Sequence, residues 1–367
     1  MITFKNFLIN KILLTEGGNI TFNDGKLFAE SIDLTKINRK DLQEYFKTFF
    51  QSLNKYAKKE QNDYIFDKTI LNTTDFLSGS AKHFFDKNIT DEKLLNMKNS
   101  LGDIDIQIDR KKELLIKVLL NKLRYKTISD LKLLNFKSTK SQFITLWKSE
   151  KYKTNIQIDF ELVEYKDNKP SSFSQFSHSS PLVDMEKKIK GVFHKFLIRA
   201  CLKSNKQKII EVLKTKEKVI EDYIYSFSVS DGLRQKYQLL DSDNSENDLY
   251  HYKKIQPSES KYITNISEIF RIIFSKSPDQ NDLKNFQSFV GLLQLIKKYF
   301  VETRIKKIAN EFVDLIFGKN SRSLYRNDDK KDKEEKMIAL NMLINILNLK
   351  INDYDTIIKK DKNHDGN

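Results

Sequence analysis

Scarcity sets the first limits on this chain. Its 367 residues hold one cysteine, Cys201, which excludes a disulfide within the chain and argues strongly against structural zinc. Four prolines and ten glycines argue against long disordered linkers. No apolar run approaches the roughly 20 residues of a transmembrane helix, and no signal peptide with a small-residue cleavage site is present. These features predict a soluble protein of a reducing compartment. Acidic residues are in deficit: 50 Asp and Glu against 65 Lys and Arg leave a net charge of +15, which favours a polyanionic partner or cofactor. No Ser-His-Asp or Cys-His arrangement for nucleophilic catalysis stands out. Gly318-Lys319 is not a P-loop, because the upstream glycine is missing.

What is present centres on Phe76 to Asp109. This stretch ends in strict alternation, Asp103-Ile104-Asp105-Ile106-Gln107-Ile108-Asp109. Alternate residues of a strand share a face, so the isoleucines point into a core and the polar residues line the other side. Several carboxylates on one strand face repel one another unless cations sit there. Upstream, Gly79-Ser80 opens a helix, Ala81-Lys82-His83-Phe84-Phe85. A turn of small residues at a helix N-terminus leaves N–H groups for a phosphate. A second alternating run, Asn155 to Val163, puts Ile156, Ile158, Phe160 and Leu162 on one face and Asp159 and Glu161 on the other. If the two strands are neighbours, Asp159 joins Asp103 and Asp105.

In this order (Gly-Ser, helix, Asp-x-Asp strand, then an Asp on a later strand) the chain resembles the DNA polymerase β-like nucleotidyltransferases over about residues 70 to 200. The resemblance implies an α+β fold, a mixed sheet with helices, followed here by a mainly helical C-terminal domain. It also implies metal-dependent transfer of a nucleoside monophosphate from a nucleoside triphosphate to an acceptor hydroxyl. In that chemistry two divalent ions about 3.5–4 Å apart clamp the attacking and leaving oxygens. Carried over, Asp103 and Asp105 hold the nucleotide-side metal, and Asp159 completes the one at the acceptor. Gly79 and Ser80 hold the terminal phosphates. Hard oxygen ligands point to Mg²⁺, or Mn²⁺ in its place.

Lys188, Lys195 and Arg199 lie at i, i+7 and i+11 of a helix predicted from Met185 to Lys203 and capped by Asp184. They are candidates for neutralising triphosphate, or an ordinary wet face. Residues 110 to 153 hold 13 Lys and Arg against three acids, a net of +10. Lys122, Arg124, Lys126 and Lys132 there are either a nucleic-acid track or a solvated surface. Three classes of function remain open: addition to an RNA 3′ end, nucleotidylation of a protein or small molecule, and a non-catalytic relative. The charge favours RNA, and the intact aspartates disfavour the third. Asp109 and Glu161 face the right way but stand outside the proposed catalytic set. For His83 packing is the expectation, while His178 and His194 have no role that spacing decides.

The remaining chain reads simply. The first sixteen residues resemble capsid-targeting peptides of T-even-like bacteriophages, cut after Leu14-Thr15-Glu16; an ordinary N-terminal helix is the alternative. Residues 38 to 59 form a helix with Leu42, Tyr45, Phe46, Phe49, Phe50 and Leu53 inward, and a short turn covers 90 to 98. Lys111 to Tyr125 form another helix, with Leu114, Leu115, Val118, Leu119 and Leu123 inward. Strands follow at 131–136 and 141–149. Ser171 to Pro181 read as a polar loop. The loop and the Gly191-Val192-Phe193-His194-Lys195 helix after it resemble nucleotidyltransferase-like proteins of large tailed bacteriophages. That resemblance implies action in the bacterial host cytoplasm and, with the N-terminal peptide, packaging in the capsid interior of a virion. Asp231-Gly232 predicts a hairpin turn. The domains are then 1–16 (peptide), 17–240 (nucleotidyltransferase), 241–260 (linker) and 261–367 (helical). The Asp361-to-Gly366 tail imitates half a calcium loop but lacks the rest.

Overall fold

The computed structural model describes residues 21–22, 27–67, 71, 73–178, 180–212, 217–240, 250–256, 258–318, 321 and 329–350. The N-terminal peptide and the calcium-like tail lie outside them. The fold is mixed helix and sheet, and the chain divides into two compact units. The first is Met1–Lys187 with Leu324–Asp329, and the second is Lys188–Ser323 with Lys330–Asn367. The sequence reading put its boundary at 240 instead.

Among the described residues of the first unit the first helices in order are α1 (Arg39–Gln61), α2 (Gly79–Phe85) and α3 (Asp91–Met97). Then come strand β1 (Asp103–Asp109), helix α4 (Glu113–Leu123) and strands β2 (Thr127–Ile128), β3 (Leu131–Ser138), β4 (Gln142–Ser149) and β5 (Thr154–Val163). Short helices α5 (Ser172–Ser177) and α6 (Leu182–Glu186) follow. The five strands form one mixed sheet in the order β1-β5-β4-β3-β2. β1 and β5 are parallel neighbours, and the remaining pairs are antiparallel.

Alternation decides which face of this sheet is dry. Ile104, Ile106 and Ile108 of β1 join Ile156, Ile158, Phe160 and Leu162 of β5 in one buried cluster with Leu42, Phe46, Phe49, Phe50 and Leu53 of α1. Each such side chain contributes about 1.5–3 kcal/mol on burial. α1 starts where the Asn38 side chain accepts from the Lys40 and Asp41 N–H groups, satisfying donors that a helix start leaves unpaired. The predicted strands and α1 thus agree with the structure to within three residues at each end.

Three local expectations need correction. α4 buries Ile116, Leu119, Leu120 and Leu123, while Leu114 is 72% exposed. The tighter turn Arg110–Lys112, capped by the Asp109 carboxylate, precedes α4. Leu115, Leu119 and Leu123 face the core as expected, but at about 100° per residue Leu114 lies roughly 200° around the helix from Ile116 and so faces outward. The polar loop contains a helix, α5, because Ser171 caps it through the Ser174 N–H and Phe173 and Phe176 are buried one turn apart. The long helix from Met185 is two helices. Lys188 takes a left-handed φ of 58°, so the chain turns, Met185 and Ile189 are both buried, and α7 (Gly191–Lys203) starts afresh.

In the second unit a four-stranded sheet runs Glu217–Asp222, Gln207–Val212, His251–Lys254, Tyr237–Leu239. The strand at His251–Lys254 falls where the sequence reading drew a linker. A three-stranded sheet contains the hairpin of Tyr225–Ser228 and Gly232–Gln235, and Gly232 has the positive φ that its turn requires. Helices dominate beyond Ile266. Cys201 is buried on α7, and burial pushes its thiol up to about 12, so it is core, as expected.

Candidate active site

The parallel register of β1 and β5 builds the polar face pair by pair: Asp103 opposite Gln157, Asp105 opposite Asp159, Gln107 opposite Glu161. Neighbouring strands stand about 4.8 Å apart, so the three aspartates expected to act together occupy adjacent positions. Asp103 and Asp105 are half-buried, and Asp159 is 5% exposed. Burial first, and then the charge of Asp103, hold the Asp159 carboxyl well above the usual range, against the opposing bond from Gln157. That bond runs from Gln157 Nε2 to Asp159 Oδ2 at 3.0 Å. Asp159 Oδ1 is buried with no hydrogen-bond partner.

Phe76 to Ser78 deliver Gly79 to this face. Leu77 pairs antiparallel with Ile106, Gln107 N–H donates to the Phe76 carbonyl at 2.7 Å, and Ser78 N–H donates to the Asp105 carbonyl at 3.1 Å. The segment thereby covers the outer edge of β1, which would otherwise leave backbone groups unpaired. Gly79 follows with φ +55°, and a Cβ there would lie 2.5 Å from Asp105 Oδ2. Only glycine allows this approach.

α2 is held from three sides. The buried Arg39 guanidinium caps its C-terminal end, donating to the carbonyls of Phe84 (2.8 Å), Asp86 (2.7 Å) and His83 (3.1 Å) and also to that of Ile89. His83 Nε2 meets the Ser180 carbonyl, and burial holds the imidazole below its ordinary value; His83 packs, as expected. Ser78, not Ser80, occupies the cap position, and its hydroxyl is turned away from the helix. It donates to Glu161 Oε2 at 2.7 Å, while Glu161 Oε1 meets His178 Nδ1 at 2.7 Å. The Gly79 N–H donates to the His178 carbonyl at 3.0 Å. Ser80 Oγ accepts from Lys98 Nζ at 2.8 Å.

Lys98, Arg39, Glu161 and His178 are thus the residues that motif reading left without a role. Asp109 serves as the cap of the turn after β1. Gly79, Ser80, Asp103, Asp105 and Asp159 come together in the first unit; Lys188, Lys195 and Arg199 belong to the second. Lys188 lies before α7 rather than on it, so the three do not share one helical face. Arg199 Nε donates to the Phe227 carbonyl at 3.4 Å. In the basic segment Lys122 pairs with Glu60 Oε2 at 3.2 Å. Arg124 stacks at 5.6 Å from the Tyr125 ring, and Arg124 and Lys126 are exposed. Lys132 stands opposite Lys148 on β4. His194 is buried, bonded through Nε2 to the Phe286 carbonyl at 2.9 Å, and burial lowers it to about 4; it packs.

No three His, Cys, Asp or Glu side chains among the described residues converge in metal-ligating geometry. The donor set still fits a hard cation by its chemistry: carboxylates on adjacent positions, one with a buried oxygen that no hydrogen bond satisfies. Also among the described residues, no helix is long and apolar enough to cross a membrane. The chain matches no protein-family model and no curated protein sequence.

Proposed function

We propose that this chain is a divalent-metal-dependent nucleotidyltransferase of polymerase β-like fold, transferring a nucleoside monophosphate to an acceptor hydroxyl, an RNA 3′ end first. The observation that carries the reading is the register that sets Asp105 beside Asp159, with Asp103 two residues away and Gly79 against the Asp105 carboxylate. The acceptor oxygen attacks the α-phosphorus, a new P–O bond forms, the α–β anhydride bond breaks, and pyrophosphate leaves; the hydroxyl proton passes to solvent. Asp103, Asp105 and Asp159 would hold Mg²⁺ or Mn²⁺, which supplies charge neutralisation at the reacting oxygens. Ser80 and Lys98 would meet the terminal phosphates, Lys98 as a point charge.

The test offers each α-³²P-labelled nucleoside triphosphate with Mg²⁺ or Mn²⁺ to the purified chain, with total RNA and with protein alone. Label in RNA, lost in Asp105→Ala, supports the reading. Label in protein keeps the transfer and replaces the acceptor. No label in any arm, with RNA, protein and both metals present, overturns it. Action in a bacterial host, and packaging in a virion through residues 1–16, remain parts of the same proposal; a virion chain beginning at Gly17 by mass spectrometry would support the latter.

A further inference from the structure

Glu161 was expected to stand outside the catalytic set. The structure gives it a specific place instead. Its carboxylate is buried on the polar face, a position that demands compensating donors. One oxygen takes the Ser78 hydroxyl and the other the His178 ring, each at 2.7 Å. His178 then returns to the same turn through its backbone, its carbonyl accepting the Gly79 N–H at 3.0 Å. A closed ring results: Glu161 side chain, Ser78, Gly79, His178 and back to Glu161. It ties β5 and the end of α5 to the turn that lies against Asp105. The helix α5 completes the cover, since Gln107 Nε2 donates to the Ser174 carbonyl at 3.2 Å.

We propose that Glu161 and His178 are positioning residues: a carboxylate–imidazole clamp that locks the Ser78–Ser80 turn onto β1 and so sets the affinity for the triphosphate of a nucleotide. This rests on the nucleotidyltransferase reading of the site. The clamp acts through the turn and touches no reacting atom. The Nδ1–H of His178 donates to Glu161, which fixes the ring, and the Gly79 bond fixes the carbonyl end of the same residue. The Ser78 N–H still donates to the Asp105 carbonyl, so release of either bond loosens the Gly79–Ser80 end of the turn, where there is no room beside Asp105 for even a Cβ on Gly79.

The test compares His178→Asn, which keeps a side-chain N–H close to the Nδ1 position, with His178→Leu, which fills space but donates nothing. Glu161→Gln is the third variant. Each is made in the full chain and checked by thermal melting. ATP affinity with Mn²⁺ is measured by calorimetry, and kcat and KM by label transfer. For His178→Leu and Glu161→Gln, ATP should bind on the order of tenfold more weakly, KM rising more than kcat falls. His178→Asn should stay near wild type. If Asn and Leu bind ATP alike, or if only the folded fraction changes while affinity per folded molecule is kept, the clamp is overturned and the nucleotidyltransferase reading stands. If the wild type neither binds Mn²⁺–ATP nor transfers label, both fall together.

Discussion

Gly79 and Asp105 meet so closely that a single added methyl group would strike the Asp105 carboxylate, at 2.5 Å from Oδ2. Gly79→Ala therefore meets two penalties. The left-handed φ costs an L-residue about 1–2 kcal/mol, and the contact displaces Asp105 or the turn. Chemical denaturation should show a loss of about 1–3 kcal/mol, and nucleotidyl transfer should fall much further than the loss of folded protein explains. An alanine variant with full activity would show that the close approach does not matter to the site.

Asp159 gives a prediction in pH. Its carboxyl is raised by burial and by Asp103, so the folded chain keeps this proton to higher pH than the unfolded chain does. Between the two values the folded state binds more protons, and stability falls as pH rises. The contribution is fully present below the ordinary carboxylate value, near 3.9, and is lost as pH passes upward through the raised one. Asp159→Asn removes this dependence. Denaturant midpoints from pH 4 to 8 should decline more steeply for wild type than for the variant; parallel curves would contradict the assignment.

Much of this arrangement is legible along the chain because it is periodic. Ile104, Ile106 and Ile108 alternate, and the core takes all three. Asn38 precedes an apolar helical stripe, and it caps that helix. Even the turn at Asp231-Gly232 follows from the conformational freedom of one residue. The clamp is different in kind. Ser78 and Glu161 are 83 residues apart, and no local pattern couples a hydroxyl to a carboxylate at that distance. Arg39 likewise finds the end of α2 45 residues on. On α4 the expected inward face holds for Leu115, Leu119 and Leu123 and fails at Leu114, because four leucines in the first eight residues offer two overlapping apolar stripes and only packing chooses between them. Lys188 was misread for a related reason: Met185 and Ile189 fit a helical stripe equally well whether or not the chain turns between them.

Cation binding separates the carboxylates that hold metal from those that only face it. Asp103→Ala and Asp105→Ala remove like charges from one face, so the metal-free variants should be as stable as wild type or slightly more so. Mg²⁺ with ATP should raise the wild-type melting temperature by mass action and leave both variants unmoved. Equal shifts in all three proteins would sink the metal assignment while leaving the fold untouched.

Lys98 is a candidate that only the folded chain reveals. Its ammonium donates to Ser80 Oγ at 2.8 Å, beside the turn proposed to hold phosphates. Lys98→Ala should raise KM for the triphosphate roughly ten- to a hundredfold, the range for a charge-assisted hydrogen bond, with kcat changed less. Lys98→Arg should recover part of the loss, since it keeps the charge but not the point geometry. Unchanged KM in Lys98→Ala would return the lysine to a purely structural role at the end of α3.

The acceptor is tested through salt. If the surface around the end of α4 guides RNA, the logarithm of the binding constant should fall linearly with the logarithm of salt concentration, by about 0.7 for each single-strand phosphate neutralised. The structure ranks the contributors. Lys122 already pairs with Glu60, so reversing it should alter the slope least. Arg124 and Lys126 are exposed on either side of Tyr125, itself 62% exposed, and Arg124→Glu with Lys126→Glu should flatten the slope by one to two such contacts. Tyr125→Ala should instead lower affinity with the slope kept, because stacking on a base releases no counterions. Filter binding of a single-stranded RNA from 50 to 300 mM KCl distinguishes these. A constant indifferent to salt and to all four substitutions would turn the search for an acceptor to proteins and small molecules, with the carboxylate face of β1 and β5 still the place to look for the chemistry.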